Sequence, residues 1–196
     1  MLSTRSFKYK GFLKMNVKET NISGALIIEP NVFKDDRGWF MEAWNLHSFH
    51  ERCGMNLKFV QENHSYSKKG VLRGLHYQYN KPQGKLVRVS HGKVLDVIVD
   101  LRKSSESFGQ HFTVELSSIN YKQLWIPPGL AHGFFVLSES AEFIYQTTCY
   151  YDPKDEYTLL WNDPDLGIDW QLNGISPVVS LKDSHGGLFK EEHYYD

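Results

Sequence analysis

The stretch Gly70-Val71-Leu72-Arg73-Gly74-Leu75-His76-Tyr77-Gln78, followed by Gly84-Lys85-Leu86-Val87-Arg88 and Gly92, gathers a histidine, a lysine and two arginines on what read as two neighbouring strands. These are the residue types of a proton-transfer site. An imidazole titrates near neutral pH, so His76 can act as a general base, given a carboxylate on its other nitrogen to orient it. The α-proton of a ketone is very weakly acidic, and its removal needs a positive group for the enolate oxygen. Lys85, with Arg73 nearby in sequence, can supply that group. Inverting the carbon then needs an acid on the opposite face of the ring. Tyr145 suits that task, because a phenol keeps its proton at neutral pH. The three side chains read as base, oxyanion clamp and acid. Their plainer readings are a satisfied core histidine, a solvated strand lysine and a core tyrosine, and spacing alone does not show that they meet.

Composition narrows the classes. A chain of 196 residues is expected to form one domain with a sizeable core. The formal net charge of −1 points to neither nucleic acid nor an anionic membrane. No run approaches the length of a membrane span. Cys53 and Cys149 lie far apart and form no C-x-x-C pair, which reads as two reduced, half-buried thiols in a cytoplasmic protein. Met1 to Lys14 carries Arg5, Lys8, Lys10 and Lys14, no acid and no apolar run for a secretory signal. Residues 1–14 are therefore expected to be an extension, an upstream start or a disordered arm, and residues 15–196 the domain.

The elements that must position these groups are mostly strands. Ala25 to Pro30 reads as a strand stopped by proline, and Asp35-Asp36-Arg37-Gly38 as a turn into the strand Trp39 to Trp44. Leu46, Phe49 and Cys53 stand at helical spacing, and Gly54 can close that helix in a left-handed cap. Lys58 to Ser65 passes from apolar to polar, as a strand does on entering a site. Val94 to Leu101 alternates, with Leu95, Val97, Val99 and Leu101 on one face and Val94, Asp96 and Ile98 on the other. A carboxylate between two aliphatics calls for a partner inside the fold. Phe112 to Leu116 and Gln123 to Pro127 read as strands, and Gly133 to Leu137 with Glu142 to Thr147 as a hairpin around Ser138 to Ser140. Short strands about ten residues apart mean a sandwich or a barrel. The tail after Asn162 is expected to fold back as a lid of short helices.

The five residues between Gly70 and His76, and the six between Lys85 and Gly92, resemble the first motif of the cupin superfamily. Pro127-Pro128-Gly129-Leu130-Ala131-His132 resembles the second. That resemblance implies an all-β fold, a cupin-type antiparallel β-barrel (jelly roll) with a few short peripheral helices. Metal-binding cupins carry His-x-His and then Glu where this chain carries His76-x-Gln78 and then Lys85. An ammonium is a poor neighbour for a divalent cation, so no metal is expected, and Lys85 marks a place for developing negative charge. A metal-dependent oxygenase and a non-enzymatic sugar-binding cupin are the competing readings.

Longer strings narrow the resemblance. Arg73-Gly74-Leu75-His76-Tyr77-Gln78, Gln83 to Arg88, Gln123 to Pro127, Ala131-His132-Gly133-Phe134, Ala141 to Tyr145, Tyr150-Tyr151-Asp152-Pro153 and Leu160 to Asp163 resemble the dTDP-4-dehydrorhamnose 3,5-epimerase family, from about Met15 to Asp183. The resemblance implies inversion of C3 and C5 of a dTDP-linked 4-keto-6-deoxy sugar, on the route to dTDP-L-rhamnose, with no cofactor. It makes His76 the base, oriented by Asp183, with Lys85 on the enolate and Tyr145 the acid. Arg73 and His132 would touch sugar and diphosphate. Arg37, Glu42, Gln61, Glu62 and Asn63 match a nucleotide-binding segment that reaches across a homodimer interface, and Glu156 and Lys182 match further nucleotide contacts. Glu62 stands where an aspartate is common. Tyr150 or Tyr151 would stack on thymine. A single-carbon epimerase or a ketoisomerase on a related sugar nucleotide is the alternative.

Overall fold

The computed structural model describes residues 15–196, and the expectations for residues 1–14 lie outside the described residues. Two antiparallel sheets face each other. One contains, in spatial order, β1 (Asn16–Glu19), β2 (Leu26–Glu29), β10 (Gln123–Ile126), β7 (Lys85–His91), β12 (Ser140–Thr147) and β5 (Gln61–Lys68). The other contains β13 (Glu156–Thr158), β6 (Leu72–Gln78), β11 (Leu130–Val136), β8 (Lys93–Asp100) and β9 (His111–Ser117). A separate hairpin joins β3 (Val32–Asp35) to β4 (Gly38–Met41). The architecture is the all-β jelly roll expected from the sequence.

Alternation along β8 sorts the core into layers. Val94 and Ile98 point between the sheets and pack with Val87, Val89, Leu124, Ile126 and Phe143. Leu95, Val97, Val99 and Leu101 point outward, where Leu159, Leu166 and Trp170 from the C-terminal part of the chain cover them. Both faces of β8 are thus buried, which is why the strand reads as nearly continuous apolar sequence.

The outer face of the six-stranded sheet is closed by α1 (Leu46–Cys53). Asn45 caps it by accepting the Ser48 N–H at 3.0 Å, and Gly54 ends it at φ 68°. Phe49 from this helix packs with Ile28, Leu86 and Trp125. Burying such a ring contributes roughly 1.5–3 kcal/mol.

Two expectations about pairing need correction. β6 and β7 are not neighbours; they lie in opposite sheets, and the chain from Tyr79 to Gly84 crosses between them. β11 and β12 are not a hairpin either. β6 and β8 already occupy both edges of β11, and β5 and β7 both edges of β12. The Ser138 hydroxyl, accepting from Lys93 N at 2.8 Å and donating to Ser140 O at 2.6 Å, helps fix the turn that carries the chain from one sheet to the other. The tail does fold back, through α2 (Leu181–Ser184) and a short 3-10 helix at Phe189–Glu191.

Candidate active site

A cavity of about 390 Å³ opens between the sheets. Asn63 and Ser65 of β5, Lys85 of β7, and Phe143 and Tyr145 of β12 form one wall. Arg73 and His76 of β6, His132 and Phe134 of β11, and Glu156 of β13 form the other. The volume suits one small ligand.

Arg73 and His76 are three residues apart, which on a regular strand would send them to opposite faces. The register explains why both line the cavity. His132 pairs with His76, but Phe134 pairs with Arg73, so β6 has one more residue here than β11. Such a bulge turns the strand's faces over within one step. Glycine makes it possible: a Cβ at Gly74 would lie 2.5 Å from Gly133 Cα, and one at Gly133 2.6 Å from the Arg73 carbonyl oxygen.

His76 Nε2 lies 2.5 Å from Asp183 Oδ1. α2 is one turn long, capped by Ser180, whose hydroxyl accepts the Asp183 N–H at 3.1 Å. Burial pushes the Asp183 carboxyl up, but the hydrogen bond and charge of His76 outweigh it and hold the group below the usual carboxylate range. An ionised Asp183 can only accept, so Nε2 carries the hydrogen and Nδ1 is left to take a proton. Glu156 Oε1 lies 3.9 Å from that Nδ1. Glu156 Oε2 also receives Lys182 Nζ at 2.7 Å and the Tyr151 hydroxyl at 2.8 Å.

Behind the cavity lies a second buried charge set. Asp96 is fully buried, and its two oxygens lie 3.1 and 3.0 Å from His132 Nε2. This is the partner that its position between Val94 and Ile98 called for. Burial drives His132 toward its neutral form, against the pull of Asp96. Lys85 is 8% exposed, and desolvation lowers its ammonium to about 8, with Glu156 and Asp96 opposing the fall. The ammonium faces the cavity rather than bulk solvent and is the main form at neutral pH. Burial raises the Tyr145 phenol, with the Glu156 charge adding to it, so its proton is retained there.

The cavity brings together His76, Lys85, Tyr145, Arg73, His132, Gln61, Asn63 and Glu156. Asp183 and Lys182 join through His76 and Glu156. Three expected residues lie elsewhere on this chain. Arg37 sits at the exposed β3–β4 turn, bound to Asp35. Glu42 accepts from Asn45 at 3.0 Å beside the start of α1. Glu62 is on the outer face of β5, accepting from Gln146 at 3.0 Å. Tyr151 lines the cavity, whereas Tyr150 does not. Sequence reasoning missed Phe134, Phe143 and Ser65 as lining residues; the alternation of β5 and β12 through Asn63 and Tyr145 was the signal for Ser65 and Phe143. It also missed the approach of Glu156 to His76, for which no local signal exists.

Known proteins of the same design exist. The family model described as dTDP-4-dehydrorhamnose 3,5-epimerase matches residues 19–191. The Pseudomonas aeruginosa dTDP-4-dehydrorhamnose 3,5-epimerase is 51% identical over 177 residues, covering 90% of this chain and 97% of that protein. The Escherichia coli K12 protein of the same name is 52% identical, covering 86% and 91%. A Legionella pneumophila dTDP-6-deoxy-D-glucose-3,5-epimerase, solved in complex with dTDP-4-keto-L-rhamnose, is 47% identical and superposes with a TM-score of 0.89 over 92% of this chain and 95% of that one. Fold, cavity and sequence agree, and this chain belongs to the dTDP-4-dehydrorhamnose 3,5-epimerase family of isomerases.

Proposed function

We propose that this chain inverts C3 and C5 of dTDP-4-dehydro-6-deoxy-D-glucose, giving dTDP-4-dehydro-L-rhamnose. His76 Nδ1 takes the proton from the carbon beside the C4 ketone. The electron pair moves onto the C4 oxygen, where the Lys85 ammonium stabilises it in a water-poor setting. Tyr145 then delivers its proton to the other face of the same carbon. C3 and C5 both flank the ketone, so one base, one clamp and one acid serve both inversions. Arg73 and His132 hold sugar and diphosphate, and Tyr151 stacks on the thymine.

The observation that carries this reading is the wall on which each group stands. The histidine belongs to the five-stranded sheet and the tyrosine to the six-stranded sheet, and both line one cavity with a buried ammonium. A sugar ring between them has its two faces toward a base and an acid.

The protein works as a cytoplasmic homodimer in this reading. The two cysteines are free, which suits a reducing compartment. Trp39 and Phe40, on the same hairpin as Arg37, are exposed. A second copy seated there would cover these rings and bring its Arg37 and Glu42 toward the nucleotide, which Gln61 and Asn63 meet from this chain's own cavity.

Turnover in heavy water tests the function. The wild-type protein is expected to place deuterium at both C3 and C5 of the 4-keto sugar nucleotide, and His76→Ala to abolish exchange at both. Label at one carbon alone would replace this reading with that of a single-carbon epimerase.

A further inference from the structure

We propose that Glu156 carries the proton away from His76 between the two inversions, a role that rests on the two-carbon reading above. Each inversion leaves the acid–base pair reversed. Nδ1 of His76 has gained a proton from carbon, and the Tyr145 oxygen has lost one to carbon. A second inversion of the same bound sugar needs a neutral imidazole and a phenol again. One proton must therefore leave Nδ1 and one must reach the phenolate, with no bond to carbon changed and no electron transferred.

Asp183 is badly placed for this. It is bonded to Nε2, the other ring nitrogen, and its side chain is 5% exposed. Lys85 and Lys182 are cations. Glu156 is the carboxylate on the Nδ1 side, with Oε1 3.9 Å away. A hydrogen bond there asks for a shift of about 1 Å. The Glu156 side chain is 16% exposed, and its other oxygen is held by Lys182 and Tyr151, both about half exposed, which link the carboxylate to solvent.

The exchange balances. The imidazolium passes its proton to Glu156 Oε1, and the carboxylic acid so formed releases it to water. Water gives a proton to the Tyr145 phenolate, and the hydronium and hydroxide left behind neutralise. A carboxylate is a weaker base than an imidazole, so the first transfer runs uphill and the acid it forms is short-lived. Burial pushes the Glu156 carboxyl up, but Lys182 and Tyr151 outweigh it and keep it below its ordinary value, so the group rests as an anion and quickly releases any proton it takes.

The test compares Glu156→Gln with wild type, sampling early turnover by NMR for singly and doubly inverted sugar. Loss of a positioned proton acceptor should raise the singly inverted share by about tenfold or more. Added sodium formate, a small diffusible carboxylate, should bring it back toward wild type. Glu156→Asp keeps a carboxylate and should fall between the two. A wild-type ratio in Glu156→Gln, or a raised ratio that ignores formate, overturns the role. Wild-type label at one carbon only would instead remove the two-carbon reading itself, and is seen before any variant is made.

Discussion

Replacing Asp183 by asparagine should slow both inversions by the same factor. The carboxylate lies 2.5 Å from His76 Nε2 and is nearly buried, so it is the group that fixes the imidazole. Asparagine keeps the size but not the charge. It also offers an amide N–H to Nε2, and a ring that accepts there carries its hydrogen on Nδ1, where the base must be bare. A hydrogen bond to a charged group is worth about 1.5–3 kcal/mol, more than a neutral one. At about 1.4 kcal/mol per tenfold, that is a loss of about 10- to 150-fold in kcat. KM should change little, because Asp183 lies behind the base rather than against the sugar. Stability carries a matching sign. The folded carboxyl titrates below its unfolded value, so its contribution is present above the unfolded pKa and disappears as pH falls through the folded one. Asp183→Asn should flatten that acid limb. Rates of deuterium entry at C3 and C5, measured separately, check the argument. Activity within twofold of wild type, or a loss confined to one carbon, would refute it, since one oriented base is supposed to serve both.

Lys85→Met should lower kcat by about 10²–10³-fold, as loss of an oxyanion donor does elsewhere. The wild-type rate should itself decline above pH about 8, because desolvation places the loss of the Lys85 proton there and the clamp works only when charged; a flat profile through pH 9 would separate Lys85 from the enolate. Tyr145→Phe should retain exchange of deuterium from solvent while losing most net inversion, because the base still works and the far-face donor is gone. Normal turnover in Tyr145→Phe would end its role as acid.

Much of the fold was legible because short apolar runs bounded by turn residues are a strong signal of strands. β8 declared its two layers, and Asp96 between Val94 and Ile98 announced a partner, found in His132. The helix at Leu46–Cys53 was legible from its spacing and its glycine cap. Strand partners were not. A short loop between two strand-like segments looks the same whether it folds back within a sheet or steps across to the facing one. That ambiguity made β6 and β7 look adjacent and β11 and β12 look like a hairpin, when each pair straddles the sandwich.

The same crossing decides what the site can do. Had β6 and β7 paired, His76 and Lys85 would have stood on one wall, and a ring lying on that wall would meet base and clamp from the same side. With the strands in opposite sheets, the histidine faces the wall that holds Lys85 and Tyr145. Yet the crossing alone would not suffice. On a regular β6, with His76 inward, Arg73 would face the outer layer that Leu75 and Tyr77 enter, away from the cavity. The extra residue at Gly74-Leu75, opposite Gly133, turns Arg73 inward toward Ser67, whose hydroxyl it meets at 3.1 Å. The register thus makes Gly133 as much a part of the site as the side chains that line it. Gly74 within β6 hints at the bulge, but the Gly133 that leaves room for it stands in another strand, where the pattern along β6 does not reach.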